Sequence, residues 1–166
     1  MKPLLITLFV LLAAAPALAD EPVGCDKFKW PLDKERATLT GTDLPSITLG
    51  ERVGLPIPFG AVVALKPFAE VKLPMPPERA PKSPDSFAGF FDVPAPKIAG
   101  TYKITLSAEG WIDVVQDGHT VKSAGSAGAL GCEGVRKSVK FELTAATFTV
   151  ELTGVATDTI KLVIAP

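Results

Sequence analysis

The 166-residue sequence has a single histidine, His119, and this scarcity excludes most familiar enzyme sites. A Ser-His-Asp triad would have to use His119, and no serine lies within a nucleophile-elbow glycine pattern. One histidine cannot complete a two-histidine iron site or a three-histidine zinc site. The sequence also lacks an HExxH motif, a phosphate-binding glycine loop and a dinucleotide fingerprint. We therefore expect no catalytic residue, no metal ligand and no cofactor.

Neither sign of charge is in excess, because 17 basic side chains face 18 acidic ones and the formal net charge is −1. Proteins that bind nucleic acid usually carry a basic patch or stripe. Proteins that bind membrane surfaces usually carry a polybasic segment. The sequence shows neither feature, and we therefore expect neither kind of partner.

Long apolar runs are confined to the first residues. Lys2 precedes an apolar stretch at residues 4–12, and an Ala-Leu-Ala tripeptide follows, ending at Ala19. This order is typical of a secretory signal peptide, and the stretch is too short to cross a bilayer. We predict a signal peptide at residues 1–19, cleavage between Ala19 and Asp20, and a periplasmic or secreted protein without a membrane span.

Only two cysteines are present, Cys25 and Cys132. In an oxidising compartment an isolated pair is most simply a disulfide, although two buried free thiols remain an alternative. The bond would close a loop of 107 residues. In the chain-entropy model such a crosslink stabilises the fold by about 4–5 kcal/mol.

From residue 100 onward, apolar and polar residues alternate in four segments. They lie at residues 102–106, 139–143, 148–152 and 160–164. A period of two indicates antiparallel strands with one face on a core. Asp117 and Gly118 form the preferred two-residue hairpin turn between two further strands. We predict an all-β fold, an antiparallel β-sandwich of the jelly-roll or galactose-binding-like kind.

We divide the exported chain into an irregular N-terminal arm at residues 20–54 and a β-sandwich domain at residues 55–166. The arm contains the segment WPLDKERATL, which is compatible with a short helix or with an ordered segment without one. The domain includes a proline-rich loop at residues 74–86, which we expect to be extended. We also expect strands at 61–66 and 69–73 and a flexible small-residue loop at 123–131.

Trp111 and Asp113 are the first candidates for ligand contact. Alternation places them on one face of a strand and places Ile112 and Val114 on the opposite, core-facing side. A tryptophan beside a carboxylate is a common way to stack and hydrogen-bond a sugar. The alternative, which we favour, is that the N-terminal arm covers Trp111 and makes it an anchor, with Arg136 neutralising Asp113.

Further candidates are charged or aromatic residues outside that strand. Arg136 and Lys137 are a basic pair suited to an anion or a carboxylate, or else a solvated strand end. Glu78 and Arg79 form either a recognition segment or, as we prefer, the salt-bridged fastening of a lid. We expect Trp30 to dock the arm onto the sandwich.

The chain resembles a family of small secreted proteobacterial proteins in four segments, which read WPLDKERATL, PPERAPKSPDSFAGF, GTYKITLSAEGWIDVVQDG and CEGVRKSVKFEL. Some members carry the label homogentisate 1,2-dioxygenase. That enzyme holds iron with two histidines and a carboxylate, which one histidine cannot supply. More loosely, the Gly-Thr-Tyr strand, the Trp-Ile-Asp-Val strand and the Asp-Gly turn are similar to galactose-binding-like and PA14-like sandwiches. That resemblance implies sugar binding, but the paired-aspartate calcium pattern of the PA14 type is absent.

Together these observations predict a non-catalytic periplasmic β-sandwich protein. We expect it to bind a ligand, with a saccharide favoured, or an envelope partner. A structural or accessory subunit of a secreted complex is the alternative, and a dioxygenase-type enzyme is the least favoured reading. The candidate contact residues are Trp111, Asp113, Arg136 and Lys137.

Overall fold

Eleven β-strands and one short α-helix organise residues 21–166, the part of the chain that the computed structural model describes. The predicted signal peptide lies outside the described residues. The strands are β1 (Ser46–Ile47), β2 (Phe59–Ala64), β3 (Lys66–Pro67), β4 (Phe87–Val93), β5 (Gly100–Leu106), β6 (Trp111–Gln116), β7 (His119–Thr120), β8 (Ser123–Gly128), β9 (Lys137–Leu143), β10 (Phe148–Val155) and β11 (Thr159–Ala165). The helix, α1, spans Asp33–Leu39, and single 3-10 turns lie at Cys25–Lys27 and Phe68–Glu70.

The strands form two sheets that pack face to face. One sheet has six strands in the order β1-β2-β11-β5-β9-β8, and the other has five in the order β3-β4-β10-β6-β7. Neighbouring strands are antiparallel except β1 and β2, which are parallel. All four alternating segments are strands, β5, β9, β10 and β11. The all-β sandwich that the alternation predicted is confirmed.

The core lies between the sheets and is built by the inward halves of the alternating strands. Phe91 and Leu152 of the five-stranded sheet and Phe141 and Leu162 of the six-stranded sheet are fully buried there. A period of two sends the intervening polar residues outward, so each sheet also has an outer face. What covers those two outer faces positions the candidate site.

The turn between β6 and β7 has the geometry that the sequence predicted. Asp117 and Gly118 have positive φ angles of 54° and 75°, and the flanking residues Gln116 and His119 pair across the hairpin. Both central positions of a type I′ turn need positive φ, which Asp-Gly adopts readily. The predicted hairpin turn is confirmed.

Two expectations about strands are wrong. The segment 69–73 is not a strand, because the chain leaves the sheet after Pro67 and enters the turn at Phe68–Glu70; proline has no N–H with which to extend a ladder. The small-residue segment 123–131 is not a flexible loop throughout, because residues 123–128 form the edge strand β8. Their composition disfavours a strand, but pairing with β9 satisfies backbone groups on both chains.

Residues 21–41 of the N-terminal arm pack on the outer face of the six-stranded sheet, whereas residues 46–53 join the sandwich itself, as strand β1 and by pairing with β4. Helix α1 contacts β2 and β11, and it buries Leu39 together with Leu32 just before it. These two residues are seven apart and therefore share one face of the helix. Glu35 is also buried and pairs with Lys103 at 2.7 Å. Among the described residues no helix is long and apolar enough to cross a bilayer.

Two contacts fasten the arm to that sheet. Cys25 and Cys132 form the predicted disulfide, which is thereby confirmed. Trp30 donates a hydrogen bond from Nε1 to Ser138 Oγ at 3.1 Å, and Lys140 Nζ lies 4.3 Å from the centre of its ring. Trp30 is thus placed where it docks the arm onto the sandwich.

The proline-rich loop crosses the outer face of the other sheet. The backbone N–H of Met75 donates to Glu151 Oε1 at 2.8 Å, and the backbone N–H of Glu78 donates to Asp113 Oδ2 at 3.2 Å. The expectation that the arm covers Trp111 is therefore wrong. The disulfide and Trp30 hold the arm on the opposite sheet, and the loop takes the place that the arm was expected to fill.

Candidate functional site

Trp111 is the first residue of β6, and its ring lies at the margin of the covering loop. Its indole Nε1 donates to Asp113 Oδ1 at 2.8 Å, because residues two apart in a strand share a face. Ile112 and Val114 point into the core, as the alternation predicted. The ring is half-buried and therefore keeps one part open to solvent.

Two carboxylic acids lie side by side under the loop. Asp113 on β6 is paired in register with Glu151 on β10, and the next pair on the same face of the sheet is Trp111 with Thr153. Asp113 is 3% exposed and Glu151 is 1% exposed. Buried carboxylates usually need partners, and here the partners are the indole N–H and two backbone N–H groups of the loop. The acids therefore fasten the loop and fix the orientation of the Trp111 ring.

The environment shifts the pKa of both carboxyls upward. For Asp113, burial raises the pKa most, while the hydrogen bonds from Trp111 and Glu78 act in the opposite direction. For Glu151, burial again raises the pKa most, the Met75 N–H lowers it, and the charge of Asp113 raises it further. The strength of the contacts that hold the loop therefore depends on whether Asp113 and Glu151 are protonated.

A small pocket opens where the loop meets the Trp111 end of β6. Its volume is about 170 Å³, and the side chains that line it include Arg79, Lys82, Glu109, Trp111, Lys137 and Thr153. Neither Asp113 nor Glu151 lines it, because their oxygens are turned to Trp111 and to the loop backbone. Asp113 therefore positions Trp111 and does not itself face a ligand.

Two cations approach the exposed ring of Trp111. Lys137 Nζ lies 4.9 Å from the ring centre, and the guanidinium carbon of Arg79 lies 5.6 Å from it. Both distances fall within the range of cation–π attraction. Lys137 also donates to the carbonyl oxygen of Gly110 at 2.7 Å and lies 3.8 Å from a Glu109 oxygen.

Burial and neighbouring positive charges lower the pKa of the Lys137 ammonium group. Burial is the largest cause, and Arg136, Arg79 and Lys82 lower it further, while Glu109 opposes them. Four cationic side chains are therefore close enough to influence one another here. Such a cluster is costly unless negative charge is nearby.

Arg136 lies beside the pocket and not in it. Its Nη2 lies 2.9 Å from a carboxylate oxygen of Glu109, and the same nitrogen also pairs with Glu21. The structure therefore gives Arg136 two surface carboxylates, not Asp113 as the sequence had suggested. Of the four predicted contact residues, Trp111 and Lys137 line the pocket, Asp113 supports it and Arg136 flanks it.

Two buried polar atoms near the pocket lack a protein partner within residues 21–166. They are Thr153 Oγ1 and Glu151 Oε2, on consecutive outward positions of β10. Buried polar groups without a partner are uncommon in folded proteins and call for a physical reason. Thr153 lines the pocket, but its Oγ1 is fully buried and does not face the open space.

A larger cleft of about 930 Å³ lies beside α1, but four of its polar side chains already have partners within the protein. Trp30, Glu35, Lys103 and Lys140 line it. Glu35 is paired with Lys103, and Trp30 is bonded to Ser138 and covered by Lys140. These contacts account for the residues as the attachment of the arm. The cleft is larger than the Trp111 pocket but has less unsatisfied chemistry.

The residues that complete the pocket were only partly predictable from the sequence. Arg79 belongs to the Pro-Glu-Arg segment already singled out, although the loop is fastened by the backbone N–H of Glu78 and not by a salt bridge. Lys82 and Thr153 carried no distinguishing pattern. Glu151 stood at an outward position of an alternating strand, which marks a solvent-facing acid, whereas the loop buries it.

Among the described residues, no three His, Cys, Asp or Glu side chains are grouped so that they could hold a metal ion. No protein-family model, curated protein or solved structure matches the chain. The fold and the site together define a disulfide-linked β-sandwich with a small cation-lined pocket over a tryptophan.

Proposed function

We propose that the protein is an exported, non-catalytic binding protein that holds a saccharide in the Trp111 pocket. One observation carries the proposal. The Trp111 ring is half-exposed, and a buried acid, Asp113, fixes its N–H and hence its orientation. A tryptophan held in this way presents a preorganised apolar surface beside polar groups.

The chemistry of the pocket suits a sugar. The axial C–H groups of a pyranose form an apolar face that packs on an aromatic ring, while its hydroxyls need polar partners. Trp111 offers the ring, and the charged side chains of Arg79, Glu109 and Lys137 lie around it. Pockets for drug-sized ligands hold roughly 300–1,000 Å³. The present volume of about 170 Å³ suits a single sugar residue or the end of a longer chain.

We assign no catalytic step to this face, because its two buried acids already hold the covering loop. Asp113 and Glu151 are the only buried carboxyls on this face among the described residues, and both point to the loop backbone. A general acid or base must reach the proton that it transfers. Neither acid lines the pocket, and both therefore act as supports.

The Cys25–Cys132 bond supports the proposal that the protein works outside the cytoplasm. Disulfides persist in the periplasm and in secreted proteins, and they are rare where thiols are kept reduced. The bond holds the arm that carries α1 against the six-stranded sheet. An exported β-sandwich with a small polar pocket suits a role at the cell envelope.

Saturation-transfer NMR against a panel of neutral and acidic oligosaccharides tests the proposal. We expect transfer to the C–H protons of at least one sugar, with loss of the signal in Trp111→Ala. Trp30→Ala is the matched control, because it removes the other tryptophan of the chain from the arm. Transfer to no sugar, or undiminished transfer in Trp111→Ala, would refute sugar binding at this pocket.

A structural or accessory subunit is the second candidate, and the covering loop and arm would then be its contact surfaces. Purification of the protein from the periplasm, followed by mass spectrometry, separates the two. Sugar-containing species of low mass support the binding protein. A stoichiometric protein partner, recovered without any bound sugar, contradicts it.

A further inference from the structure

We infer that the Trp111 pocket selects a sugar residue that carries an acidic group, either a carboxylate or a phosphate. The inference rests on the proposed function, which concerns sugars in general, and it adds the charge of the ligand.

The lining has more positive than negative charge. Arg79, Lys82 and Lys137 line the pocket with one carboxylate, Glu109. Glu109 is shared, because Arg136 contacts it at 2.9 Å while Lys137 is 3.8 Å away. The pocket therefore contains two positive charges that its own acid does not balance.

The loop cations have no acid of their own among the residues that the structure describes. Neither Arg79 nor Lys82 forms an ion pair within residues 21–166. The guanidinium of Arg79 lies over the ring of Trp111. They lie on the loop, while Lys137 begins β9 of the opposite sheet. Positive groups from two separate parts of the fold thus meet at one ring.

Such convergence costs free energy through mutual repulsion. Burial is the main cause of the lowered pKa of Lys137, and the neighbouring positive charges lower it further. An anionic group between the loop and Lys137 would relieve the repulsion. It would also form charge-assisted hydrogen bonds, which are stronger than neutral ones. The pocket is therefore better matched to an acidic than to a neutral ligand.

The Trp111 ring indicates that the ligand is more than a simple anion. Acid and hydroxyl groups occur together in acidic sugars, and Trp111 supplies the stacking surface that a sugar ring uses.

Fluorescence titration of a Trp30→Phe protein tests the inference, because Trp111 is then the only tryptophan. The probes are glucuronate, glucose 6-phosphate and glucose, with sulfate at matched ionic strength as the salt control. We expect at least one acidic sugar to bind about tenfold or more tightly than glucose, as charge-assisted hydrogen bonds imply. Affinity for the acidic sugar should fall as salt is added.

Arg79→Gln and Lys82→Gln should each weaken binding of the acidic sugar severalfold more than they weaken binding of glucose. Lys122→Gln is the matched control, because it removes one exposed positive charge outside the pocket. Equal affinity for glucose and both acidic sugars would overturn the inference and leave the proposed function standing. A response to sulfate as large as that to the acidic sugars would overturn it as well. No binding by any of the three sugars would overturn the inference, and the absence of any sugar signal in the saturation-transfer panel would overturn the proposed function.

Discussion

Asp113 and Glu151 lie opposite each other on the neighbouring strands β6 and β10, and each accepts a backbone hydrogen bond from the same covering loop. Two buried acids in register repel each other when both are charged, and cross-strand pairs of like charge are normally destabilising. Here the loop supplies donors that partly offset that repulsion. The pair therefore links the protonation of the outer sheet face to the position of the loop beside Trp111.

Replacing Glu151 with glutamine should stabilise the fold at neutral and alkaline pH relative to the wild type. A carboxyl whose folded pKa is raised contributes stability that is complete below its unfolded pKa and is lost as pH rises through the folded value. The wild type should therefore lose stability relative to Glu151→Gln as the pH rises from 4.5, the ordinary glutamate pKa, into the alkaline range. The gain should be on the order of 1 kcal/mol at the upper end.

Urea unfolding of both proteins across that pH range measures the difference. Glu133→Gln, which removes an exposed carboxyl beside Cys132, controls for the change in net charge. A difference between Glu151→Gln and the wild type that does not vary with pH would contradict the coupling.

Loss of either acid should loosen the covering loop. Asp113→Ala and Glu151→Ala each remove the acceptor of one loop N–H, from Glu78 or Met75. A hydrogen bond to a charged group contributes about 1.5–3 kcal/mol, so local opening should become roughly tenfold or more frequent. Timed digestion with trypsin, followed by mass spectrometry, should show faster cleavage after Arg79 in both variants. An unchanged rate would show that other contacts hold the loop.

Reduction of the Cys25–Cys132 bond should lower stability by about 3–5 kcal/mol, because the bond closes a long loop in the unfolded chain. For a domain of this size the corresponding fall in Tm is on the order of 10 °C. Thermal unfolding with and without a reductant measures the fall, and a Cys25→Ser, Cys132→Ser double variant controls for direct effects of the reductant. A Tm that is the same in all samples would show that the arm does not need the crosslink.

Trp111→Ala should lower the free energy of unfolding by about 1–3 kcal/mol, because it leaves Asp113 Oδ1 buried without its donor. The cost should stay below the 3–5 kcal/mol typical of a fully buried tryptophan, since the ring is half-exposed. Trp111→Phe keeps a ring but removes the N–H, so its free energy of unfolding should lie between those of Trp111→Ala and the wild type. Denaturant unfolding of both variants would contradict this account if neither differed from the wild type.

The sandwich could be predicted from the sequence because the alternation of apolar and polar residues is visible within each single strand. In β5, β9, β10 and β11 each apolar residue is two positions from the next, so the pattern itself records which face is buried. The Asp117-Gly118 turn is likewise set by two adjacent residues. The expectation for residues 123–128 failed because composition alone does not reveal that the edge of β9 is free to pair.

The site was less predictable because its contacts are not local. Trp111 and Asp113 could be assigned to one face, but the pairing of Asp113 with Glu151 depends on which strands are neighbours. The loop is held by backbone N–H groups of Met75 and Glu78, which no side-chain pattern records. The prolines predicted an extended loop and gave no information on which sheet it crosses.

The most direct test of the account is an NMR titration that follows the indole N–H signals of Trp111 and Trp30 separately. The assignments come from Trp111→Phe and Trp30→Phe, and the ligand is the sugar with the strongest response in the saturation-transfer panel. If the sugar binds in the Trp111 pocket, the Trp111 signal should shift in a saturable manner while the Trp30 signal does not move. A shift confined to Trp30, or no shift of either signal, would contradict the assignment of the Trp111 pocket as the binding site.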